Sequence, residues 1–302
     1  MKKRKSYNEI FTEIVQETND FFVELAKRQN RTMILSIFIG LAICIFLYKT
    51  GAEYHTGLIF LLFLIIVFLG IVINNTLYRN KYKEEIIGRF VKKYEPNLRY
   101  LPKGRVVTKN DYYMSGFDKH WNELECEDGI QGKLEDGSIF RLSQITVINR
   151  LKTYVNGYEE QTEKQTIFKG TFAVIELSKP INNIIELIGN ARRNRFNKDR
   201  IEVDSEEFEK EYDLMAEDRI HALRIFTPDI IERLIGVKYR TKADFRVKIV
   251  DSRIFIRINN GDIFEPISYE GKITPKVFME YYNTLDVPMT ITEAIIDGSK
   301  DL

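Results

Sequence analysis

Few residues in this chain have the type and the spacing that nucleophilic or metal-assisted catalysis requires. The chain contains three histidines and two cysteines, and only His120 and Cys126 are close enough in sequence to form a pair. A zinc site needs three or four such ligands, and no CxxC or HExxH spacing supplies the others. No glycine-rich phosphate loop and no GxSxG motif is present either. We therefore predict no catalytic residue, no metal site and no cofactor.

Acidic residues cluster at Glu123, Glu125, Glu127 and Asp128. Carboxylates are the ligands that hard cations prefer, so a weak cation site is one interpretation. Residues 106–302 hold 35 acidic residues, however, and some clustering is expected at that density. A solvated acidic face is therefore the simpler interpretation.

One segment, GNARRNRFNKDR, combines cations at a density suited to anion binding. Five cations lie within nine residues: Arg192, Arg193, Arg195, Lys198 and Arg200. They stand in an otherwise acidic region, since residues 106–302 hold 28 Lys and Arg against 35 Asp and Glu, a net charge of about −7. We call this segment the basic loop. It is either a solvated loop partly paired with neighbouring acids, or a docking site for anionic headgroups or an acidic partner, with Phe196 as an interfacial wedge.

Two uncharged apolar runs, Met33–Tyr48 and Gly57–Ile73, determine where these residues are placed in the cell. Each approaches the roughly 20 residues that a spanning helix needs. Neither run has the polar face of a helix in a soluble protein. Only eight residues separate the two runs, so they predict a transmembrane hairpin.

The distribution of positive charge predicts the orientation of this hairpin. Seven Lys and Arg precede the first run and seven follow the second within residues 79–99, whereas the short loop between the runs contains only Lys49. The positive-inside rule then places both termini in the cytoplasm and the chain in the cell membrane. Two cysteines agree with a reducing compartment. The acidic body argues against nucleic acid as a partner.

We divide the chain into four parts. Residues 1–32 form a cytoplasmic amphipathic helix, 33–78 the transmembrane hairpin, 79–105 a basic helical neck, and 106–302 a cytoplasmic domain. The amphipathic helix is predicted over Tyr7–Arg28, where apolar residues recur at three- and four-residue steps. Its apolar face is expected to pack within the molecule, on a partner or at the membrane interface.

The cytoplasmic domain is predicted to be α+β, with an antiparallel meander followed by a mixed α/β part. Asp136-Gly137 and Asn156-Gly157 are hairpin signals between β-rich runs. They predict at least four antiparallel strands, with Gly170 at a bulge or bend. Further on, helices are predicted to start at the cap Asp204, at Thr227-Pro228 with an end at Gly236, and at Thr274-Pro275. Glu217–Arg224 has helical spacing that fits either a core-facing helix with surface ion pairs or a ligand-binding face.

Six short motifs stand in an order that resembles a known family. They are Tyr113–Gly116, Glu127–Gly132, Ile167–Gly170, Asp204–Lys210, Ala222–Pro228 and Ile263–Pro266. Together with the hairpin, they resemble a bacterial membrane-protein family, domain of unknown function 3137, over most of residues 30–270. The resemblance implies a bacterial source and a hairpin with a cytoplasmic domain. It implies no reaction and no catalytic residue.

From these features we predict a membrane-anchored cytoplasmic domain that acts as a binding scaffold or a sensor. Its expected partners are the lipid bilayer and another membrane or cytoplasmic protein, and no nucleic acid. One alternative is an enzyme whose Asp, Glu, Tyr and Arg residues leave no local motif. The other is an accessory subunit that packs through the small residues Ser36, Gly40 and Ala42 of the first span. A deep cleft with converging carboxylates would favour the enzyme, and a shallow exposed patch would favour binding.

Overall fold

The structure is a computed structural model, and its elements divide between two compact units. It describes residues 5–49, 56–155, 158–189, 200–242, 244–262, 264–265 and 273–300. The hairpin unit contains Lys5–Phe90 and Glu265–Phe278, and the sheet unit contains Val91–Phe264 and Met279–Leu302. Each unit is described by itself below.

The helices of the hairpin unit follow the apolar runs of the sequence. Helix α1 spans Tyr7–Lys49 and helix α2 spans Thr56–Tyr82. A single π turn, Lys83–Ile87, joins α2 to helix α3, Gly88–Tyr94. The predicted amphipathic helix and the first span are therefore one continuous helix of 43 residues, which is about 64 Å long at the α-helical rise. Two segments, Val23–Lys49 and Phe60–Tyr94, are long and apolar enough to cross a membrane.

Small residues let the two long helices approach each other closely. A Cβ added at Gly70 would lie 2.8 Å from the Cβ of Ser36, and one at Gly40 would lie 3.0 Å from the ring of Phe63. Asn74 adds a polar link, since its Nδ2 donates to the carbonyl oxygen of Gln29 at 3.0 Å. Ser36 and Gly40 thus pack the hairpin against itself.

The N-terminal half of α1 buries its apolar face inside the hairpin unit. Ile10 and Ile14 have no exposed surface. The ring of Phe278 lies 5.4 Å from those of both Phe11 and Phe90, centroid to centroid. Of the three sites expected for this face, packing within the molecule is the one observed.

The sheet unit is built around one antiparallel sheet. Its described strands have the order β1-β2-β3-β4-β9-β8-β5-β7-β6. The elements, in chain order, are β1 Leu98–Leu101, α4 Lys109–Ser115, β2 Glu123–Lys133, β3 Ile139–Val155, β4 Tyr158–Glu176, β5 Ile184–Gly189, β6 Arg200–Ile201, α5 Glu206–Glu211, β7 Tyr212–Ala216, α6 Arg219–Ile225, α7 Pro228–Thr241, β8 Phe245–Val250, β9 Arg253–Ile258 and α8 Pro275–Gly298. The predicted α+β class is confirmed. Three strands, β2 to β4, lie where at least four were predicted, because β3 is unbroken over Ile139–Val155. Strand β1 pairs with β2 and extends the meander, but it was not predicted.

Gly170 does not mark a bulge. The nearest irregularity in the pairing of β3 with β4 lies at Ile167, between Phe168 and Thr166. Gly170 itself pairs regularly with Ile145. Glycine is required at this position because a Cβ there would overlap the carbonyl oxygen of Ile258.

Two helix ends also differ from the prediction. The cap of α5 is Ser205, whose hydroxyl accepts from the backbone N–H of Phe208, and not Asp204. Helix α7 continues through Gly236 and ends only at Thr241, with Lys242 in the left-handed conformation. A glycine inside a helix costs only about 1 kcal/mol, and the buried apolar face of α7 outweighs that cost.

Candidate functional site

The connection that follows β1 and precedes β2 in the sequence lies across one face of the sheet. We call this segment, residues 102–122, the strap; it contains the short helix α4. Thr108 and Asp111 form a capping box at the start of α4, with each side chain accepting from the other's backbone N–H. Gly116 ends the helix with a positive φ of 62°, a conformation that glycine adopts without strain. Local sequence therefore sets both ends of α4.

Apolar side chains attach the strap to the sheet. The cluster joins four strap residues to side chains of β3, β4 and β9: Val106, Val107, Tyr112, Phe117, Ile145, Val147, Phe168, Phe172, Val174 and Phe255. Tyr112 packs edge-to-face on both Trp121 and Phe172, with centroids 5.3 and 5.1 Å apart. Because each aromatic ring buries a large apolar area, this cluster is a main source of the strap's stability.

Two ion pairs complete the attachment, and the first is centred on Arg141 of β3. Its guanidinium lies 2.8 Å from Asp111 in the strap and 2.7 Å from Glu176 of β4. Burial alone would raise the pKa of Asp111, but hydrogen bonds from Arg141 and Thr108 hold that pKa below its usual value. The carboxylate of Asp111 is therefore ionised and committed to the structure.

The second ion pair joins Asp118 of the strap to Arg257 of β9 at 2.6 Å. The hydroxyl of Tyr112 donates to the same Asp118 carboxylate. The guanidinium of Arg257 also lies over the rings of Phe117 and Phe168, at 5.2 and 4.8 Å from their centroids. Burial and the hydrogen bond to Asp118 raise the pKa of Tyr112. Tyr112 therefore stays protonated and does not act as a base.

An open cleft of about 730 Å³ adjoins the strap. This volume is within the range of small-molecule sites, roughly 300–1,000 Å³. Its lining comes from α4 and the turn that follows: Lys109, Asn110, Tyr113, Gly116, Asp118, Lys119, Trp121 and Asn122. Asp118 is the one carboxylate among these lining residues, and its charge is paired with Arg257. The cleft therefore has no converging carboxylates of the kind that an acid–base enzyme requires.

Of the predicted basic-loop residues, Arg192, Arg193, Arg195 and Lys198 lie outside the described residues. Arg200 is described, and its side chain is only 10% exposed. It forms ion pairs with Asp213 at 2.9 Å and with Glu209. Its charge is thus neutralised within the sheet unit, and the docking role of the other four cations stays a prediction.

The pair formed by Cys126 and His120 receives no support from the geometry. The thiol of Cys126 lies 3.6 Å from the carbonyl oxygen of Val107, as a donor to it. Burial raises the pKa of this thiol to about 11. A cysteine with so little thiolate at neutral pH is neither a good nucleophile nor a good metal ligand.

The acidic cluster is mostly paired in the described structure. Glu123 lies 2.8 Å from Arg150, and Glu125 lies 3.2 Å from Lys164. Asp128 is fully buried and accepts a hydrogen bond of 2.5 Å from the hydroxyl of Tyr100. These contacts account for Glu123, Glu125 and Asp128.

The strap and its cleft were not predicted, although a local signal for α4 exists. The capping box at Thr108 and Asp111 and the glycine at 116 are the usual start and end of a short helix. The partners of Asp118 and Tyr112 leave no such signal, because they come from distant strands.

Comparison with known proteins shows that part of the chain is similar to a family of known sequences. Residues 166–295 match the model of the family described as protein of unknown function (DUF3137). The predicted family is confirmed over this segment. No curated protein and no solved structure matches the chain. The DUF3137 match begins within β4, so it includes Arg257 but not the strap, and it extends beyond residue 270, where the predicted resemblance ended.

Proposed function

We propose that this chain is an integral membrane protein in which a two-span hairpin anchors an α+β domain that binds a partner on the cytoplasmic side. The observation that carries the first half is the exposure of the apolar helices. Phe38, Phe46, Phe60 and Phe68 each expose more than 60% of their surface. Exposed apolar area of this extent is unfavourable in water by about 25 cal/mol per Å² and is removed by lipid.

Binding is favoured over catalysis by the state of two polar side chains, Asp118, which lines the cleft, and Tyr112, which is buried beside it. Asp118 is paired with Arg257, and Tyr112 is held in its protonated form. General acid–base catalysis needs groups that change protonation near the working pH. The Tyr, Asp and Arg residues gathered here instead hold the strap on the sheet. A scaffold or sensor role needs only that the strap and its cleft present a rigid surface.

The accessory-subunit alternative loses part of its support. Two of its three small residues, Ser36 and Gly40, pack inside the hairpin against Gly70 and Phe63. Only Ala42 of that set is left exposed. A helix interface with another membrane protein would therefore have to use other side chains.

The basic loop belongs to this proposal with four residues rather than five. Arg192, Arg193, Arg195 and Lys198 are proposed to bind anionic headgroups or an acidic partner. Their support is compositional, since they concentrate positive charge in a region with a net charge of about −7. Arg200 has a structural explanation in its pairs with Asp213 and Glu209.

Cysteine labelling in intact cells tests the anchor and its orientation. In a variant with both native cysteines replaced, Thr56→Cys is expected to react with a membrane-impermeant maleimide from outside. Lys179→Cys is expected to react only after lysis, and Lys179 suits this purpose because it is exposed, whereas Ser138 is fully buried. Labelling of Lys179→Cys in intact cells would refute the cytoplasmic orientation. Release of the chain by alkaline carbonate would refute the anchor.

A further inference from the structure

We infer that the cleft beside α4 binds a small ligand that combines a planar ring with a phosphate group, as a nucleoside monophosphate does. This inference rests on the proposed binding function and names the class of ligand. Three features of the described residues support it: lysines without a carboxylate partner, a carboxylate that is paired with an arginine, and two aromatic side chains, one held in place and one exposed.

The positive charge comes from three lysines. Lys109 and Lys119 line the cleft. The ammonium of Lys248 lies against a third lining position, 3.1 Å from where a Cβ of Gly116 would be. Lys109 donates to the carbonyl oxygen of Asn122 at 3.1 Å, which leaves its charge without a carboxylate. Among the described residues, Lys119 and Lys248 have no hydrogen bond or ion pair.

Two lysines of the sheet, by comparison, have a carboxylate partner. Lys164 pairs with Glu125 at 3.2 Å, and Lys169 pairs with Asp262. In a domain with a net charge of about −7, carboxylates are plentiful. Lysines that remain without them around one cleft create a local field that attracts an anion.

The one carboxylate of the lining does not oppose an anion. Arg257 neutralises Asp118 from the sheet side at 2.6 Å, and the hydroxyl of Tyr112 donates to it as well. The net charge around the cleft therefore stays positive. Lysine binds phosphate as a point charge, so no fixed fork geometry is needed.

The aromatic side chains provide faces for a ring. Trp121 is half-buried, and its edge-to-face contact with Tyr112, at an interplanar angle of 84°, holds the indole in place. Tyr113 is 76% exposed and is free to move onto a ligand. Stacking of a base on an aromatic side chain contributes about 1–3 kcal/mol. The side-chain nitrogen of Asn110 donates a hydrogen bond to the sulfur of Met114. Its side-chain oxygen is therefore available to accept from a donor on the edge of the ring.

The chain contains a single tryptophan, Trp121, so its fluorescence reports on this cleft alone. The full chain in nanodiscs of neutral lipid is titrated with adenosine monophosphate, adenosine and inorganic phosphate. The monophosphate is expected to change the emission saturably. Adenosine and phosphate are each expected to bind at least about tenfold more weakly, because each makes only half of the contacts.

Matched charge reversals assign the response to the lysines. The double variant Lys109→Glu, Lys119→Glu is expected to bind the monophosphate at least about tenfold more weakly, and Lys179→Glu, at an exposed lysine outside the cleft, is expected to bind as wild type does. Unchanged melting temperatures verify that both variants fold.

Three results would overturn the inference: no saturable change with the monophosphate, equal binding of adenosine, or equal binding by the double variant. Without nucleotide, a change in tryptophan emission between neutral and anionic nanodiscs would assign the site to lipid phosphate. It would refute the proposal that the ligand contains a planar ring. None of these results alters the labelling outcome, so failure here is distinct from failure of the membrane anchor.

Discussion

Asp118 in the strap and Arg257 in β9 lie 139 positions apart in the sequence and form an ion pair of 2.6 Å. The pair matters because Arg257 lies directly opposite Arg246 of β8 in the antiparallel register. Like charges opposite each other destabilise a sheet. Here each arginine has its own carboxylate, since Glu186 lies 2.6 Å from Arg246. Asp118 thus attaches the strap and also relieves this repulsion.

Removing the charge of Asp118 should be costly. In Asp118→Asn, the guanidinium of Arg257 stays four-fifths buried without a counterion. We expect a loss of roughly 2–3 kcal/mol in the free energy of unfolding. Denaturant unfolding of the purified chain in detergent measures it. Asp204→Asn, at an exposed aspartate that does not cap α5, is the control and should change stability by less than about 0.5 kcal/mol. Equal stability of the two variants would contradict the structural role of the pair.

Two glycine-to-alanine substitutions should act in opposite directions. Gly116→Ala places a side chain at a φ of 62° and 3.1 Å from the Lys248 ammonium, so it should destabilise by about 1–2 kcal/mol. Gly236→Ala lies inside α7, where a Cβ meets nothing within 4 Å, and should stabilise by up to about 1 kcal/mol. Melting temperatures of the two variants test this. A loss of stability in Gly236→Ala would contradict the open surroundings of this position inside α7.

Cys126 should be inert at neutral pH. Burial raises the pKa of its thiol to about 11, so the folded chain holds almost no thiolate at neutral pH. In a Cys44→Ala variant, we expect alkylation by iodoacetamide to be slow at pH 7 and to accelerate as the pH approaches 11. As the pH rises above the usual thiol pKa, the unfolded chain ionises first, and the contribution of this thiol to stability is lost. Fast alkylation at pH 7 would refute the burial of the thiol.

Charge reversal should separate Arg200 from the rest of the basic loop. The chain in neutral nanodiscs is mixed with anionic vesicles over a salt series. Arg192→Glu, Arg193→Glu and Arg195→Glu together should weaken vesicle binding by several kcal/mol at low salt, on the order of 1 kcal/mol per cation, without lowering the melting temperature. Arg200→Glu should lower the melting temperature, because it places a carboxylate beside Asp213 and Glu209. A lower melting temperature in the triple variant would instead indicate internal pairing of those arginines.

Features with a short-range cause could be predicted from the sequence. The apolar runs of α1 and α2, the strands beside Asp136-Gly137, and the helix start at Thr227-Pro228 all follow from periodicity or turn chemistry within about ten residues. For the same reason the α+β class could be predicted from the sequence. Local signals predicted the ends of helices less exactly. Ser205 caps α5 although the neighbouring Asp204 is also a suitable cap residue. Gly236 lies inside α7 because the buried face of that helix outweighs the low helix propensity of glycine.

The tertiary structure alone decided what the polar residues do. Arg200 resembles its basic neighbours in sequence, yet the pairing of β6 with β7 brings it to Asp213. Tyr112, Asp118 and Arg257 come from different elements and meet only when the strap lies on the sheet. The sequence by itself determined the α+β class, the two candidate membrane spans and several of the helices and strands, since these depend on neighbouring residues. The lining of the cleft is local in sequence, but its charge balance depends on Arg257 and Lys248, which lie more than a hundred positions away. No local pattern encodes such contacts.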